Sequence, residues 1–396
     1  MNRVQGMNIL LISHFFPPHL GGVETATYNT AKKLVEFGHT VVVLTSRRKL
    51  DKQGIQQLEG FIVYRFKPFE LPQLKILPQL SSLGIIPGAI IRLPKLIKNY
   101  NIQLIHLEGR FFPISYISVI LNKLIFKRPA VVSAQGRLEI GITGLIENMF
   151  DAFITKYLYQ KLKKVICVSE SLKNRFLNFK IKEDKLIVIP NGVDITKFSR
   201  IESSNLLNKY LKGKSDFKKV IFVGRLDVQK GVEYLIRAIP IVLKSYKRVH
   251  FFILGNGNLE NELKRLAKNL NVMSNLTFLK AIHLEKMPEF YSSADIFCLP
   301  SLHEGFPLSI AEALSIGLIV VASSTEGIPE AIKENENGFL AEPKNVPQLA
   351  EKLIKALNLD DEQIKKIQNN NIKLAKEKYS WENIVKQIEN VYNGKL

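Results

Sequence analysis

Two glutamates, Glu304 and Glu312, stand eight positions apart in the part of this sequence that carries the most chemistry. The first follows the apolar run 295–299, which predicts a buried strand, and the second falls inside the short helix predicted next. A carboxylate accepts hydrogen bonds, so each side chain is suited to hold hydroxyls of a sugar ring. Glutamates at this spacing also occur by chance, and the pair alone therefore does not establish a site.

The residues between the glutamates predict an anion site at a helix N-terminus. Pro307 suits the first helical position, because its missing N–H would have no partner there, and Gly317 is expected to end the helix. The amides of Leu308 and Ser309 are then open, and the helix dipole favours a phosphate beside them. The loop and helix together predict a diphosphate cradle between two carboxylates.

A second loop supplies positive charge. Arg225 and Lys230 follow the predicted strand 219–223, and Gly231 opens the next helix. Arginine binds phosphate in a bidentate manner and lysine provides a compact point charge, so the two could neutralise a diphosphate. The alternative is a pair of solvated surface cations.

Glycines follow two other predicted strands. Gly21 and Gly22 precede a helix that carries Glu24 in its first turn, which would leave open amides near a ligand. Gly255 and Gly257 form a weaker glycine loop after the strand 249–254. Neither loop reads G-x-G-x-x-G, and this disfavours a dinucleotide-binding dehydrogenase.

Further polar residues lie at predicted strand ends in the first half of the chain. His106 is placed at the end of one strand, where it either faces a cleft or is satisfied locally. Gln135 and Arg137 follow the strand 130–133. Glutamine can hydrogen-bond a hydroxyl or a phosphate but does not titrate near neutral pH, and Arg137 could meet a charged acceptor.

These motifs together resemble those of the family-4 (group 1) retaining glycosyltransferases. The matching patterns are E-x7-E at 304–312, G-R-x-x-x-x-K-G at 224–231, P-x-x-G-G-x-E at 18–24 and the Asn-Gly turn at 191–192. The resemblance spans nearly the whole chain, is strongest over 189–340, and is weaker over 47–185. It implies a GT-B fold, an α/β architecture of two Rossmann-like domains facing a cleft.

The resemblance also implies roles for the residues that match. Arg225 and Lys230 would bind the diphosphate of a UDP- or GDP-sugar and stabilise its growing charge, and Glu304 would hold the donor sugar. The remaining donor-binding positions would be Gly21, Gly22, Gly255, Gly257, Phe306, Leu308, Ser309 and Glu312, the last for the ribose. Glu24, His106, Gln135 and Arg137 would lie towards the acceptor. No metal and no further cofactor would be needed.

Two positions depart from the family pattern. Gln135 stands where relatives usually carry histidine, and Lys280 stands where they usually carry glycine at the edge of the base-binding site. A front-face retaining reaction does not depend on a histidine there, because the leaving phosphate is thought to take the acceptor proton. A nucleotide-sugar epimerase and a non-catalytic nucleotide-sugar-binding protein remain as alternatives.

Charge and composition bear on partners and location. The chain of 396 residues has a net charge of +20, and its first 200 residues carry 29 Lys and Arg against 13 Asp and Glu. This asymmetry favours an anionic partner, and we expect a membrane surface and a lipid-linked or cell-surface glycan acceptor. No nucleic-acid-binding motif is evident.

No signal segment or membrane span is predicted, and Cys167 and Cys298 do not form a disulfide framework, so we expect a cytoplasmic protein peripheral to the inner face of a membrane.

Alternating strand and helix patterns predict the domain organisation. The first series of strands ends near 189 and a second begins near 219. We expect an acceptor-binding domain over 1–195, a nucleotide-sugar-binding domain over 196–378, and a C-terminal helix over 379–396 that packs back on the first domain.

Overall fold

A computed structural model describes residues 6–18, 21–47, 54–69, 84–109, 112–136, 147–202, 204–211, 213, 216–280 and 282–396. The chain divides into two compact units. The N-terminal unit comprises Met1–Pro190 and Trp381–Leu396, and the C-terminal unit comprises Asn191–Ser380. The chain thus passes between the units at 190 and again at 380, compared with the positions 195 and 378 expected from the sequence.

The N-terminal unit is built on an eight-stranded sheet with the order β3-β4-β2-β1-β5-β6-β7-β8. All neighbouring strands are parallel except β3, which pairs antiparallel with β4. The strands are β1 Asn8–Ser13, β2 Thr40–Ser46, β3 Ile55–Leu58, β4 Phe61–Phe66, β5 Leu104–Glu108, β6 Ala130–Ala134, β7 Lys164–Cys167 and β8 Leu186–Val188. The central strands are continuous apolar runs because a parallel sheet is covered on both faces.

Helices connect these strands. They are α1 Gly22–Glu36, α2 Pro87–Asn99, α3 Pro113–Leu121, α4 Lys156–Tyr159 and α5 Glu170–Asn178. A π-helical turn, Asn122–Phe126, continues α3, and a second, Asp151–Thr155, leads into α4. Proline stands in the first turn of α2 and of α3, where its missing N–H leaves no helical hydrogen bond unmade.

The C-terminal unit is built on a six-stranded parallel sheet with the order β11-β10-β9-β12-β13-β14. Its strands are β9 Lys218–Val223, β10 Val249–Leu254, β11 Leu276–Leu279, β12 Ile296–Leu299, β13 Ile319–Ser323 and β14 Gly338–Ala341. Its helices are α6 Val232–Ser245, α7 Glu260–Asn269, α8 Met287–Ser292, α9 Leu308–Ile316, α10 Ile328–Ala331, α11 Val346–Leu357 and α12 Asp361–Leu374. The strand order reverses at β9, and such a reversal leaves an open crevice at the carboxyl ends of the strands.

The last helix, α13 (Trp381–Tyr392), returns to the N-terminal unit and packs against α1. His39 Nε2 lies 3.1 Å from Glu389 Oε1, and Lys163 Nζ donates a hydrogen bond of 2.7 Å to the carbonyl of Tyr392. The apolar side of α13, including Trp381 and Val385, is buried.

Every predicted strand is present, and four details are corrected. The segment 338–340, predicted as turn and packing, belongs to the edge strand β14, and β3 had no predicted counterpart. β5 continues to Glu108, so His106 lies inside the strand and not at its end. Pro307 has an extended conformation and caps α9, and the first helical residue is therefore Leu308.

Candidate functional site

The parallel topology of the C-terminal unit brings three of the predicted motifs to one edge of the sheet. Arg225 and Lys230 follow β9, Gly255 and Gly257 follow β10, and Glu304 follows β12. These three strands are neighbours in the order β10-β9-β12, and their carboxyl ends lie together. The candidate site is assembled by the fold from segments about 25 to 80 residues apart in the chain.

An ion pair between Lys230 and Glu304 joins two of these motifs. Lys230 Nζ lies 2.5 Å from Glu304 Oε2, and the two side chains are 15% and 12% exposed. The hydroxyl of Ser301 donates a second, longer hydrogen bond of 3.4 Å to the same oxygen. A cation and a carboxylate therefore meet at the strand edge with part of their surface still open to a ligand.

The loop after β9 orients its two cations differently. Asp227 Oδ1 accepts a hydrogen bond of 3.1 Å from the amide of Lys230 and so caps the short 3-10 turn Val228–Lys230. The guanidinium of Arg225 lies 3.1 Å from Asp227 Oδ2 and donates to Gln229 Oε1 at 3.3 Å. The Arg225 side chain is nonetheless 66% exposed. Most of its hydrogen-bonding capacity faces solvent.

Backbone contacts fix the β9 loop against the β12 loop. The amide of Leu302 donates to the carbonyl of Gln229 at 2.8 Å, and Gln229 Nε2 donates to the carbonyl of His303 at 3.1 Å. Gly231 adopts a left-handed conformation with φ of 62°, and a Cβ there would lie 2.1 Å from the carbonyl oxygen of Pro300. Only glycine therefore fits at this crossing.

Glu326 is a supporting residue that the sequence did not reveal. Its carboxylate accepts a hydrogen bond of 2.8 Å from the amide of Glu304, and its other oxygen lies 3.0 Å from His303 Nδ1. The segment around it was predicted only as a turn. Because its partners are more than twenty residues away, no spacing in the sequence signals this role.

The N-terminus of α9 is open. The amides of Ile310 and Ala311 both donate to the carbonyl of Pro307, whereas the structure gives the amides of Leu308 and Ser309 no acceptor among the described residues. Two backbone donors therefore remain at the positive end of the helix, next to the loop that carries Glu304.

Phe306 was predicted to contact the nucleotide-sugar donor, but its side chain packs inside the C-terminal unit. The ring is buried, with its centroid 4.9 Å from that of Tyr379, and its carbonyl accepts a hydrogen bond of 3.2 Å from Asn191 Nδ2. Any ligand contact from Phe306 would therefore come from its backbone amide.

Glu312 lies one turn inside α9. The hydroxyl of Tyr291, on α8, donates a hydrogen bond of 2.7 Å to Glu312 Oε2. Burial of this carboxyl raises its pKa to about 7, although the Tyr291 hydrogen bond opposes the shift. Near neutral pH, Glu312 can thus act as a hydrogen-bond acceptor or, protonated, as a donor. Tyr291 is a second residue that the sequence did not indicate.

Gly255 and Gly257 are required by close backbone packing. A Cβ on Gly255 would lie 1.8 Å from the carbonyl oxygen of Gly224, and one on Gly257 would lie 2.2 Å from that of Leu226. The amide of Leu226 also donates to the carbonyl of Asn256 at 2.9 Å. The glycine loop after β10 therefore supports the β9 loop from the side.

In the N-terminal unit, Gly21 and Gly22 stand at the beginning of α1 as predicted. Gly21 caps the helix in an extended conformation, and its carbonyl accepts the amide of Thr25 at 3.0 Å. The Glu24 carboxylate folds back over this end, since a Cβ on Gly21 would lie 2.3 Å from Glu24 Oε2. Glu24 and the two glycines thus form one compact helix start.

His106 belongs to a buried polar chain across β5 and β6, and the half-buried Gln135, directly after β6, contacts a carboxyl of β5. Hydrogen bonds join His106 Nδ1 to the Tyr392 hydroxyl at 2.5 Å and His106 Nε2 to the Ser133 hydroxyl at 2.8 Å. Burial lowers the pKa of His106 to about 3, so the ring is neutral. Gln135 Nε2 donates to Glu108 Oε2 at 3.2 Å, and burial raises the pKa of Glu108 to about 8. Glu108 is a further residue that the sequence passed over.

Three other observations complete the site. Arg137 lies outside the described residues, and its predicted role stays a prediction. Across the described ranges, no group of three or more His, Cys, Asp or Glu side chains is arranged to hold a metal ion. Among the helices described, none combines the length and the apolar character needed to span a bilayer.

Comparison with known proteins places this chain in a family. Residues 20–197 match the description "Glycosyltransferase Family 4", and residues 207–377 match "Glycosyl transferases group 1". An uncharacterised glycosyltransferase of Methanocaldococcus jannaschii is 32% identical over 98% of each chain. The phosphatidylinositol N-acetylglucosaminyltransferase GPI3 subunit of Saccharomyces cerevisiae is 26% identical over 98% of this chain and 83% of its own length.

Solved structures share the fold. Sucrose-phosphate synthase from Thermosynechococcus elongatus has a TM-score of 0.82 at 19% identity, covering 98% of this chain and 99% of its own. Anabaena HepE in complex with UDP has a TM-score of 0.79 at 21% identity, covering 98% and 100%. The two parallel-sheet units correspond to the GT-B fold of these enzymes. The chain belongs to the group 1 glycosyltransferases, glycosyltransferase family 4.

Proposed function

We propose that this protein transfers a sugar from a nucleoside diphosphate sugar to an acceptor, with retention of the anomeric configuration. The observation that carries the proposal is the Lys230–Glu304 pair beside the exposed Arg225 and the open amides of α9. Cations and backbone donors suit a diphosphate, and a carboxylate suits sugar hydroxyls. Both kinds of partner meet at one strand edge.

In this reaction the protein acts by electrostatic stabilisation. Arg225 would bind the leaving diphosphate in a bidentate manner, and Lys230 would provide a point charge that Glu304 balances before the donor binds. The amides of Leu308 and Ser309 would donate hydrogen bonds to phosphate oxygens at the helix N-terminus. Such preorganised donors favour the transition state, because negative charge grows on the diphosphate as the glycosidic bond breaks.

The two glutamates would position the donor. Glu304 would hold hydroxyls of the sugar, and Glu312, fixed by Tyr291, would hold the ribose. The leaving phosphate would take the proton of the acceptor hydroxyl, and no metal or further cofactor would be required. Gln135 fits this scheme, because it supplies hydrogen bonds without having to titrate.

Relatives suggest which substrates to try first. Structures of Anabaena HepE contain UDP and UDP-glucose, and the yeast relative is named a phosphatidylinositol N-acetylglucosaminyltransferase. A UDP-sugar donor and a lipid-linked or cell-surface glycan acceptor are therefore the first choices, with GDP-sugars as the second donor class. The basic N-terminal half fits an enzyme peripheral to the inner, cytoplasmic face of a membrane.

Nucleotide binding tests the donor site. We expect UDP or GDP to raise the melting temperature of the wild-type protein by binding the native state alone. Lys230→Ala should weaken that binding by about 10- to 100-fold, because it removes a charge-assisted hydrogen bond. Lys352→Ala is the matched control: Lys352 is 16% exposed and lies 2.7 Å from Glu334 in the same unit. Equal nucleotide affinity in the two variants would contradict the assignment.

Product analysis tests the reaction. Glu304→Ala should abolish transfer while the far-ultraviolet circular dichroism spectrum stays that of the wild type. An α-linked donor should give an α-linked product in the NMR spectrum, and an inverted product would refute retention. Donor turnover without an acceptor would indicate an epimerase. Nucleotide binding without turnover, across acceptors of each class, would indicate a binding protein.

A further inference from the structure

Two segments of the N-terminal unit expose large apolar side chains. The first is the end of α3 with the turn Asn122–Phe126, and the second runs from 147 through the turn Asp151–Thr155 into α4. The exposed apolar residues are Ile120, Leu124, Ile125, Met149, Phe153, Ile154 and Tyr157. Phe153 is 73% exposed and Leu124 is 68% exposed. Single exposed apolar residues are ordinary, whereas a cluster of this kind marks an interaction surface.

The two segments are neighbours in space. The ring of Tyr116, on α3, packs edge-on against Phe150, with centroids 4.9 Å apart. Lys123 Nζ, from the first turn, lies 5.9 Å from the centroid of the Tyr157 ring, on the second segment. The exposed residues of both segments therefore form one surface, which we term the apolar–basic face.

Helical spacing arranges the second half of this face. Met149, Phe153 and Tyr157 recur every four residues, so their side chains emerge on the same side of the helical segment. Phe150, between them, points the other way and packs against α3. Exposure on this segment is therefore greatest along the side of Met149, Phe153 and Tyr157, and Ile154 beside it is 43% exposed.

The charges on this face have one sign. The basic residues in and directly after the two segments, over 120–128 and 147–161, are Lys123, Lys127, Arg128, Lys156 and Lys161. The carboxylates described within 112–136 and 147–164 are Glu147 and Asp151, and both are buried against Arg175, whose Nη2 lies 3.2 Å and 2.9 Å from them. The carboxylates turn inward, and the charge presented to solvent there is positive.

We propose that the apolar–basic face docks this protein on an anionic lipid surface. The inference rests on the proposed function and deepens it, because it names the surface that would hold the enzyme at a lipid-linked acceptor. Apolar side chains would enter the boundary between headgroups and acyl chains, and the lysines would meet lipid phosphates. A second copy of the chain fits less well, since it would bring lysines against lysines.

Vesicle flotation tests the charged part of the face. Wild-type protein should float with vesicles of equal parts phosphatidylglycerol and phosphatidylcholine and should stay unbound with phosphatidylcholine alone. Lys123→Glu/Lys127→Glu should weaken binding by at least about 25-fold, from roughly fivefold per basic residue removed. The control Lys365→Glu/Lys366→Glu makes the same change of net charge on exposed residues of α12 and should bind as the wild type does.

A second pair of variants tests the apolar part. Leu124→Ser/Phe153→Ser should abolish flotation with the mixed vesicles. The remaining lysines are attracted to the lipid phosphates, but without the apolar side chains the protein does not insert into the bilayer. The control Met273→Ser/Leu284→Ser removes two exposed apolar side chains from the C-terminal unit and should leave flotation unchanged. All four variants should melt near the wild-type temperature, since the altered side chains are exposed.

Several outcomes would overturn the inference. If the variants of the apolar–basic face float as their controls do, this face is not the membrane contact. If the wild type binds phosphatidylcholine vesicles as well as the mixed vesicles, anionic lipid has no role. A dimer in light scattering that Leu124→Ser/Phe153→Ser converts to monomers would assign the face to self-association. UDP and GDP binding is measured on the same proteins without vesicles. A face variant that no longer floats but still binds nucleotide has lost the membrane contact and has kept the donor site. A wild-type protein that floats but binds no nucleotide would contradict the transferase assignment and leave the membrane-docking proposal standing.

Discussion

The carboxyl of Glu108 shows how the interior of the N-terminal unit sets the charge of a single residue. Its side chain is almost fully buried, and Gln135 donates to it at 3.2 Å. Burial raises its pKa from 4.5 to about 8, so the protonated form predominates at neutral pH. At neutral pH the hydrogen bond from Gln135, the residue directly after β6, is therefore accepted by a carboxylic acid and not by a carboxylate.

This shift predicts a pH dependence of stability. The folded protein keeps the Glu108 proton up to about pH 8, whereas the unfolded chain releases it near pH 4.5. The contribution of Glu108 to the free energy of unfolding therefore falls as pH rises between those values. Glu108→Gln keeps an acceptor for Gln135 and removes the titration. Between pH 5 and about 8, the free energy of unfolding of the wild type should fall by on the order of a few kcal/mol relative to that of the variant.

Urea unfolding of both proteins across that range measures the difference. Glu312 also has a raised pKa, but it is present in both proteins and its contribution cancels. In the folded protein His106 and Tyr392 stay neutral over the same range, because burial moves both pKa values away from it. The titration of His106 in the unfolded chain is common to both proteins and cancels as well. Parallel stability curves for the wild type and Glu108→Gln would show that Glu108 is already ionised in the folded protein.

Residue types and spacing predicted the candidate site residues, and the pairing of those residues came only from the fold. Arg225, Lys230 and Glu304 were predicted from the charges that a diphosphate sugar needs. The contact between Lys230 and Glu304 joins positions 74 apart, and the supports from Glu326 and Tyr291 are also distant. No local pattern encodes such contacts, because each depends on which strands become neighbours.

At the scale of the element, the two loops that hold this pair meet at Gly231. Its backbone is left-handed, and the missing side chain lets the β9 loop cross the carbonyl of Pro300. Gly231→Ala should destabilise the C-terminal unit by more than the roughly 1–2 kcal/mol that a left-handed alanine costs by itself, because the loops must separate. Lys230, its neighbour, should then lose its position, and nucleotide affinity should fall as well.

Gly213→Ala is the matched control for this prediction. Gly213 has a similar left-handed φ of 88°, but a Cβ there would meet no atom of the described residues within 4 Å. Gly213→Ala should lower the free energy of unfolding only by the cost of a left-handed alanine, and it should bind nucleotide as the wild type does. Equal unfolding free energies and equal nucleotide affinities for the two alanine variants would mean that the crossing at Pro300 does not constrain the site.

Elements were predictable where their sequence is locally consistent. β1, β4, β10 and β11 match the predicted bounds, because mainly apolar segments flanked by turn residues allow few alternatives. β14 was missed because it is a four-residue edge strand that begins with glycine. β3 alternates exposed with partly exposed residues, and pairing with β4, more than its own composition, makes it a strand.

At the scale of the whole molecule, the last residues of the chain stabilise the unit that its first residues build. The Tyr392 hydroxyl, near the end of α13, hydrogen-bonds His106 on β5 across 286 positions of sequence. His106 in turn contacts Ser133 on β6. The C-terminal helix therefore completes a polar chain inside the N-terminal sheet, although the chain reaches it only after building the other unit.

Tyr392→Phe tests this long-range dependence. Loss of the hydroxyl leaves the buried Nδ1 of His106 without its partner, which should cost about 1–3 kcal/mol. Hydrogen–deuterium exchange followed by mass spectrometry should show faster exchange in β5, β6 and α13, and unchanged exchange in β9 and β10. Tyr157→Phe is the control, because that side chain is exposed and its loss of a hydroxyl should change neither region. If exchange in β5 and β6 stays at the wild-type rate in Tyr392→Phe, the hydroxyl is dispensable. Apolar packing of the kind that buries Trp381 and Val385 in the wild-type structure would then suffice to attach α13.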